Sequence, residues 1–288
     1  MRRLFLAFCL SLAGTVLAGV PALAADVQFT TSDGVRLHAI EAGPKGAPTI
    51  VFVPGWTMPA WIFRPQIDYF SRRFHVIALD PRGQGESEAP AGGYDYQRRG
   101  QDIADLLGVL HAGPVLLVGW SLGVLDSLAY VHAYGDGRLA GLVLIDNSVG
   151  ENPPPVASRG LPARRGPRLA VEEARRRFVA GMFRRPPGAA YLEALTQASL
   201  ATPDYAAAAL ANYAVPRSYW REAVLGVRRP ILYAVRPRFA AQAENLRVDN
   251  PLAEAVVFDE AGHALFVDEA ERFDLLVAQF IRRRVWPG

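Results

Sequence analysis

A glycine-flanked serine between an apolar strand and a helix is the feature that most restricts how this chain can fold. It lies in the stretch GPVLLVGWSLGVLDSLAYVHAYG, where residues 115–118 predict a buried strand and apolar residues at helical spacing follow Ser121. Such a turn is tight, and Gly119 and Gly123 remove side chains that would clash there. Because the helix start directs backbone N–H groups at the same point, the pattern predicts a nucleophile beside an anion site. A helix start capped by a serine is the alternative.

The first 24 residues have the layout of a secretory signal peptide. Arg2 and Arg3 precede a short apolar run, and small residues lead to a cleavage position near Ala24 or Ala25. The run is short and contains glycines, which favours removal of residues 1–24 over a transmembrane anchor. We therefore expect a periplasmic or secreted protein with no stable membrane anchor after cleavage.

Composition narrows the possible functions further. The single cysteine, Cys9, lies in the predicted signal peptide, so the mature chain is expected to have no disulfide, thiol nucleophile or thiolate metal site. Loss of Arg2 and Arg3 lowers the formal charge from +3 to +1, so the basic pI says little about nucleic acid. No nucleic-acid partner is expected. Nine arginines cluster over residues 159–185. This is typical of a solvated helix face, and an anion site is the alternative.

Strand and helix patterns alternate from residue 25 onwards. Two strand patterns flank Asp33-Gly34, which predicts a hairpin. The buried strands TIVFV and FHVIALD follow, with helical patterns over residues 59–72 and 94–111. This alternation predicts crossover units and a mainly parallel sheet.

The alternation is interrupted after the strand pattern LAGLVLID. Residues 150–227 contain several short helical patterns and no strand of the buried type, which predicts an inserted cap of about four helices. The strand pattern returns in RPILYAV and AEAVVFDE, and a helix is predicted over residues 268–284. The expected core is therefore residues 25–149 and 228–288.

Five separated motifs lie at intervals along the chain. They are VPGW after the third strand, DPRGQGES after the fourth, GWSLG after the fifth, the helical insertion after the sixth, and AGHALF after the last. Their order resembles that of the α/β hydrolases. The chain most resembles small esterases and the cofactor-free haloperoxidase-like, or perhydrolase, branch. The resemblance implies an α/β-hydrolase fold with a mostly parallel sheet of about eight strands, flanking helices and a small helical cap after the sixth strand. It also implies serine-hydrolase chemistry without a metal or an organic cofactor.

The resemblance assigns roles to several residues. Ser121 is the expected nucleophile, and His263, on a loop after the last strand, is the expected base. The family pattern implies an oxyanion hole formed by the backbone N–H groups of Trp56 and Leu122. Structural roles are expected for His75, His111 and His132, and His38 is expected to be a half-exposed strand residue.

The position of the triad acid in this chain differs from the commonest one in the family. An aspartate usually follows the seventh strand, but here Arg236 and Arg238 occupy that region, and such cations would repel an imidazolium. Asp146 follows the sixth strand, at the same sheet edge as Ser121, and is the preferred candidate. The alternatives are Glu244, Asp249 and Glu151.

A small-molecule acyl substrate is expected to bind beneath the cap, against Trp120, Phe183, Tyr213 and Trp220. The expected reaction is hydrolysis of a carboxylic ester, or a related acyl bond, through an acyl-enzyme on Ser121. Lactonase, perhydrolase and carbon–carbon bond hydrolase activities use the same machinery and stay open. A catalytically silent binding module is the alternative from another class.

Overall fold

The computed structural model describes residues 24–110, 113–151, 170–212 and 215–287. The predicted signal peptide, up to residue 23, falls outside these ranges, as do His111 and Tyr213.

Eight strands form one sheet in the order β1-β2-β4-β3-β5-β6-β7-β8. β1 pairs antiparallel with β2, and β2 pairs antiparallel with β4, whereas all other neighbours are parallel. The predicted hairpin and the mostly parallel sheet are thus confirmed. The strands are β1 Ala25–Thr30, β2 Arg36–Ala42, β3 Thr49–Val53, β4 His75–Asp80, β5 Val115–Trp120, β6 Leu139–Ile145, β7 Ile231–Val235 and β8 Ala253–Val257.

Helices flank the sheet, and four of those described, α4 to α7, lie between β6 and β7, where the cap was predicted. Short 3₁₀ segments at Ala60–Phe63 and Pro237–Phe239 and a π-helical turn at Ile281–Val285 complete the described regular structure. The helices are α1 Arg64–Phe70, α2 Tyr96–Val109, α3 Leu122–Tyr134, α4 Val171–Ala180, α5 Ala189–Ala201, α6 Asp204–Leu210, α7 Arg217–Gly226, α8 Ala240–Asp249, α9 Leu265–Asp268 and α10 Ala270–Phe280.

The central strands are buried on both faces, which explains their continuous apolar sequences. One apolar cluster packs one face of the sheet against α2, α3, α7 and α8, and a second packs the other face against α1 and α10. The carboxyl ends of β5, β6 and β7 are adjacent in the sheet. Polar residues that follow these three strands therefore meet at one edge.

No helix in the described ranges has both the length and the apolar composition needed to cross a bilayer.

A buried carboxyl group on α10 predicts a pH-dependent stability. Asp274 is 5% exposed, and its Oδ1 accepts a 2.9 Å hydrogen bond from Gln66 Nε2. Burial raises the pKa of Asp274 to about 6, from an ordinary value of 3.8. Between these values the folded protein keeps a proton that the unfolded chain releases, so the free energy of unfolding falls as the pH rises through this window.

We therefore expect Asp274→Asn, which stays neutral, to increase the free energy of unfolding at about pH 8 by up to about 3 kcal/mol and to change it little at about pH 4. Urea unfolding at both pH values measures the difference. Glu271→Gln, at an exposed position of the same helix, is the matched control. An equal gain at both pH values would contradict the assignment.

Candidate active site

The turn that carries Ser121 has the strained geometry expected of a strand-to-helix elbow. Ser121 directly follows β5 and precedes α3, with φ 54° and ψ −115°. Its N–H donates to the carbonyl oxygen of Ile145 at 2.9 Å, which ties the turn to the end of β6. A Cβ on Gly123 would lie 2.2 Å from the backbone oxygen of Val53. Because backbone cannot move aside as a side chain can, this position requires glycine.

The three predicted triad residues meet at the sheet edge. His263 Nε2 lies 2.8 Å from Ser121 Oγ, and His263 Nδ1 lies 2.6 Å from Asp146 Oδ2. The Asp146 side chain is fully buried, whereas that of His263 is 21% exposed. With Asp146 accepting the Nδ1 proton, Nε2 presents its lone pair to the serine. This is the arrangement that a general base requires.

The alternative acids lie elsewhere and are paired with other residues. Glu244 forms an exposed pair with Arg247 within α8, and Asp249 is bound by Arg221. Glu151 is engaged by Arg221 and Asn245 at 2.9 Å each. Of the four candidates, Asp146 is therefore the one that contacts His263.

Arg236 is part of the site, although its sequence pattern did not predict a contact with the triad. Its backbone N–H donates to Asp146 Oδ1 at 2.9 Å, and its Nε donates to Asp146 Oδ2 at 2.6 Å. Its Nη2 lies 3.4 Å from His263 Nδ1. From the sequence, this arginine was expected only to disfavour an acid after β7. The sequence did contain one indication of this contact. Arg236 directly follows β7, and β7 pairs with β6, which ends directly before Asp146.

Asp146 is held ionised by its neighbours. Burial alone would raise the pKa of Asp146, but the hydrogen bond and charge of His263, together with the backbone N–H and guanidinium of Arg236, hold it below its ordinary value. Its backbone has φ 49°, and its N–H donates to the Ala234 carbonyl at 2.9 Å. The acid is therefore fixed in both charge and position.

The loop after β3 lies directly against the serine. A Cβ on Gly55 would be 3.0 Å from Ser121 Cβ, so the backbone of the next residue, Trp56, is brought close to the elbow. Leu122, the other predicted oxyanion donor, begins α3 immediately after Ser121. Thr57 has φ 58° and donates its N–H to Gln84 Oε1. Gln84, in the glycine-rich loop after β4, was not anticipated from the sequence.

The cap holds the same loop through its side chains. Trp56 Nε1 donates to the carbonyl of Ala207 at 2.8 Å, and the Arg175 guanidinium lies 4.3 Å from the centre of its ring. Thr57 Oγ1 lies 2.7 Å from Ser199 Oγ and accepts from Arg175 Nη1 at 3.1 Å. The predicted oxyanion loop is thus joined to α4, α5 and α6.

The sequence matches the alpha/beta hydrolase family over residues 50–274, a range that contains the whole triad. The chain belongs to this family.

Individual relatives of this α/β hydrolase include esterases and haloperoxidases. It is 34% identical over 117 residues to a non-heme chloroperoxidase of Streptomyces lividans and 33% identical over 117 residues to a bifunctional esterase/perhydrolase of Acinetobacter calcoaceticus. Each alignment covers 40% of this chain and 42% of the relative, so the chain matches less than half the length of these two proteins. The structure of the esterase RhEst1 from Rhodococcus sp. ECU1013 is similar in fold, with a TM-score of 0.74, 24% identity, and 90% of this chain and 99% of the esterase covered.

A cavity of about 480 Å³ opens beside Ser121 and His263 in this hydrolase. Cap residues Val215 and Trp220 and the core residue Phe239 form part of its wall. The predicted position of Trp220 thus agrees with the structure. The cavity lies where a substrate could reach the serine.

Two of the other expected pocket residues need correction. Trp120 is 1% exposed, its ring centre lies 5.2 Å from that of His263, and its Nε1–H donates to the His263 carbonyl at 2.9 Å, so it helps to hold His263 in position. Phe183 is buried and packs edge-on against Tyr191 in the second apolar cluster. Both side chains pack in the interior and do not line the cavity beside Ser121. The fourth residue, Tyr213, lies outside the described residues.

The other described histidines of this hydrolase have partners away from Ser121. His38, expected to be half-exposed, is buried, with 4% of it exposed, because its Nδ1 lies 2.7 Å from the buried Asp80 Oδ2, a hydrogen bond that raises the pKa of His38. His75 Nε2 lies 2.7 Å from Glu41 Oε1, and His132 stacks on Tyr219.

Proposed function

We propose that this protein is a serine hydrolase that cleaves a carboxylic ester, or a related acyl bond, through an acyl-enzyme on Ser121. One observation carries the proposal. Ser121 Oγ lies 2.8 Å from a histidine nitrogen whose opposite ring nitrogen lies 2.6 Å from a buried carboxylate. In this geometry His263 can take the proton of Ser121, and Asp146 stabilises the imidazolium that results.

Each residue of the site has a role in the reaction. His263 accepts the proton as Ser121 Oγ bonds to the substrate carbonyl carbon, and it then donates that proton to the departing alcohol. Asp146 keeps the imidazole oriented and compensates its positive charge. The N–H groups of Leu122 and Trp56 bind the oxyanion. Water, deprotonated by His263, then releases the acid and restores Ser121.

Perhydrolysis is the second candidate. The bifunctional esterase/perhydrolase relative favours it, since hydrogen peroxide can replace water as the acceptor of the acyl group on the same serine. A silent binding module is opposed by the short contacts from Ser121 through His263 to Asp146. An inactive scaffold has no need of this arrangement.

A fluorophosphonate probe and a panel of 4-nitrophenyl esters and lactones test the proposal. We expect one probe molecule to attach per chain, on Ser121, and the rate of ester hydrolysis to vary with acyl length. Adding hydrogen peroxide and measuring peracid separates perhydrolysis from hydrolysis. A folded protein that neither reacts with the probe nor cleaves any member of the panel would overturn the proposal.

The proposed location is the periplasm or the exterior of the cell. The basic, apolar and small-residue order of the first 24 residues supports it. The first strand of the sheet begins at Ala25, so cleavage after Ala24 would leave every described strand whole. N-terminal sequencing of the protein made in a bacterial host tests this. An intact Met1 on the folded protein in the cytoplasm would contradict it.

A further inference from the structure

Two arginines form part of the wall of the cavity that contains Ser121. Arg217 is the first residue of α7 in the cap, and Arg238 lies in the 3₁₀ turn after β7. They reach the cavity from different parts of the fold, with Ser121 and His263 in the same wall. The proposed triad uses neither of them.

Both guanidinium groups have contacts that hold them in place, and none of these contacts is to a carboxylate of a described residue. Arg217 Nη1 donates to the backbone carbonyl of Glu151 at 2.8 Å, and Arg238 lies 4.5 Å from the centre of the Phe239 ring. Within the described parts of the chain, no carboxylate lies within ion-pair distance of either group. Each arginine keeps most of its N–H donors available.

The nearby carboxylates are already compensated. Glu151 gives its backbone carbonyl to Arg217, but its carboxylate binds Arg221 and Asn245 at 2.9 Å each. Asp146, in the cavity wall, is bound by Arg236 and His263 at 2.6 Å each. Among the described residues, both of these acids are therefore paired with groups other than Arg217 and Arg238, although Arg221 is shared between Glu151 and Asp249.

Cations beside a partly apolar cavity favour an anionic ligand. Trp220, Val215 and Phe239 make part of the wall apolar, and the two guanidinium groups, which are exposed to solvent, give the cavity a positive potential. A guanidinium binds a carboxylate through two parallel N–H donors, and groups already held by Glu151 and Phe239 lose less freedom on binding.

We propose that the substrate carries an ionised carboxylate, in addition to the acyl bond that is cleaved, and that Arg217 and Arg238 bind it. This proposal rests on the serine-hydrolase function of the same site. It gives the cavity a selectivity that the triad alone does not supply. The carboxylate belongs either to the acyl chain or to the leaving alcohol, and the test separates these.

Matched ester pairs provide the test. On the acyl side, 4-nitrophenyl hexanoate is compared with the mono-4-nitrophenyl ester of adipic acid, which has the same six-carbon chain and a terminal carboxylate. On the alcohol side, phenyl acetate is compared with 4-acetoxybenzoate. For at least one pair we expect kcat/KM to be about 10-fold higher for the anionic ester, mainly through a lower KM. The preference should shrink as salt rises from about 0.05 M to about 0.5 M.

Variants assign the preference to the two arginines. In the double variant Arg217→Gln/Arg238→Gln, the ratio of kcat/KM between the anionic and the neutral ester should fall to about 1. Arg73→Gln removes the same charge from an exposed position outside the cavity and should keep the wild-type ratio. Circular dichroism of each variant verifies the fold.

Two results would overturn the proposal while leaving the serine-hydrolase function standing. One is efficient cleavage of neutral esters with no preference for either anionic ester, and the other is a preference that survives in the double variant. Failure to cleave any ester, together with no fluorophosphonate labelling, would overturn both proposals.

Discussion

Replacing Ser121 with alanine is expected to lower kcat/KM for esters by on the order of 10⁵-fold and to abolish fluorophosphonate labelling. The reason is that Ser121 Oγ is the atom within 2.8 Å of His263 Nε2, and without it no acyl-enzyme forms. Alanine keeps the Cβ that the elbow already accommodates at φ 54°, so the melting temperature should change little. Steady-state kinetics with a 4-nitrophenyl ester and mass spectrometry of the labelled protein measure both effects.

Ser148 provides the matched control, because it also lies in the cavity wall but its Oγ contacts Gln242 Oε1 at 2.9 Å. Ser148→Ala should still be labelled, on Ser121. Turnover in Ser121→Ala above about 1% of wild type would remove Ser121 from the mechanism, since loss of a triad nucleophile costs several orders of magnitude.

The second large effect is expected at Asp146. Asp146→Asn should lower kcat/KM by about 10³- to 10⁴-fold, because an amide no longer enforces the tautomer in which His263 Nε2 accepts the serine proton. Asparagine tolerates the positive φ of 49° at this position, so the backbone can remain as it is. Ester hydrolysis rates, with thermal unfolding as a check on the fold, measure the loss.

A second substitution, at Arg236, tests the same assignment independently. In Asp146→Asn its guanidinium stays near His263 without the carboxylate that it neutralised, and it opposes the imidazolium. Adding Arg236→Gln to this variant should therefore recover about 10-fold of the lost activity. Asp249→Asn and Glu244→Gln, which alter acids paired elsewhere, should retain wild-type rates. A large loss in either of them, with Asp146→Asn still active, would assign the acid after β7.

The fold and the elbow could be predicted from the sequence because they depend on local patterns. Strands buried on both faces need uninterrupted apolar residues, and those of β3, β5 and β7 stand out in the chain. The turn at Ser121 needs glycine at position 123 for a backbone contact with Val53. The position of Asp146 beside the serine could be predicted because the ends of β5 and β6 are adjacent in a parallel sheet.

Contacts between side chains that are distant in the sequence could not be predicted from such local patterns. The preference for Asp146 used Arg236 as a reason to reject an acid after β7, but the sequence could not show that this arginine binds Asp146 itself. Trp120 neighbours Ser121 in the chain, yet its side chain packs into the cluster that contains Phe266. Alternation along a strand decides this, and in a strand buried on both faces the sequence does not mark which face is which.

The attachment of the loop after β3 to the cap has a consequence for engineering. Trp56 and Thr57 are held by Ala207, Ser199 and Arg175, which all belong to the inserted helices. A chimaera that carries the cap of another hydrolase would lose these anchors, and the proposed oxyanion donor Trp56 would no longer be fixed. A change of the cap is therefore expected to alter both the substrate range and the catalytic rate of this protein. A successful graft has to transfer the cap and the loop after β3 as one unit.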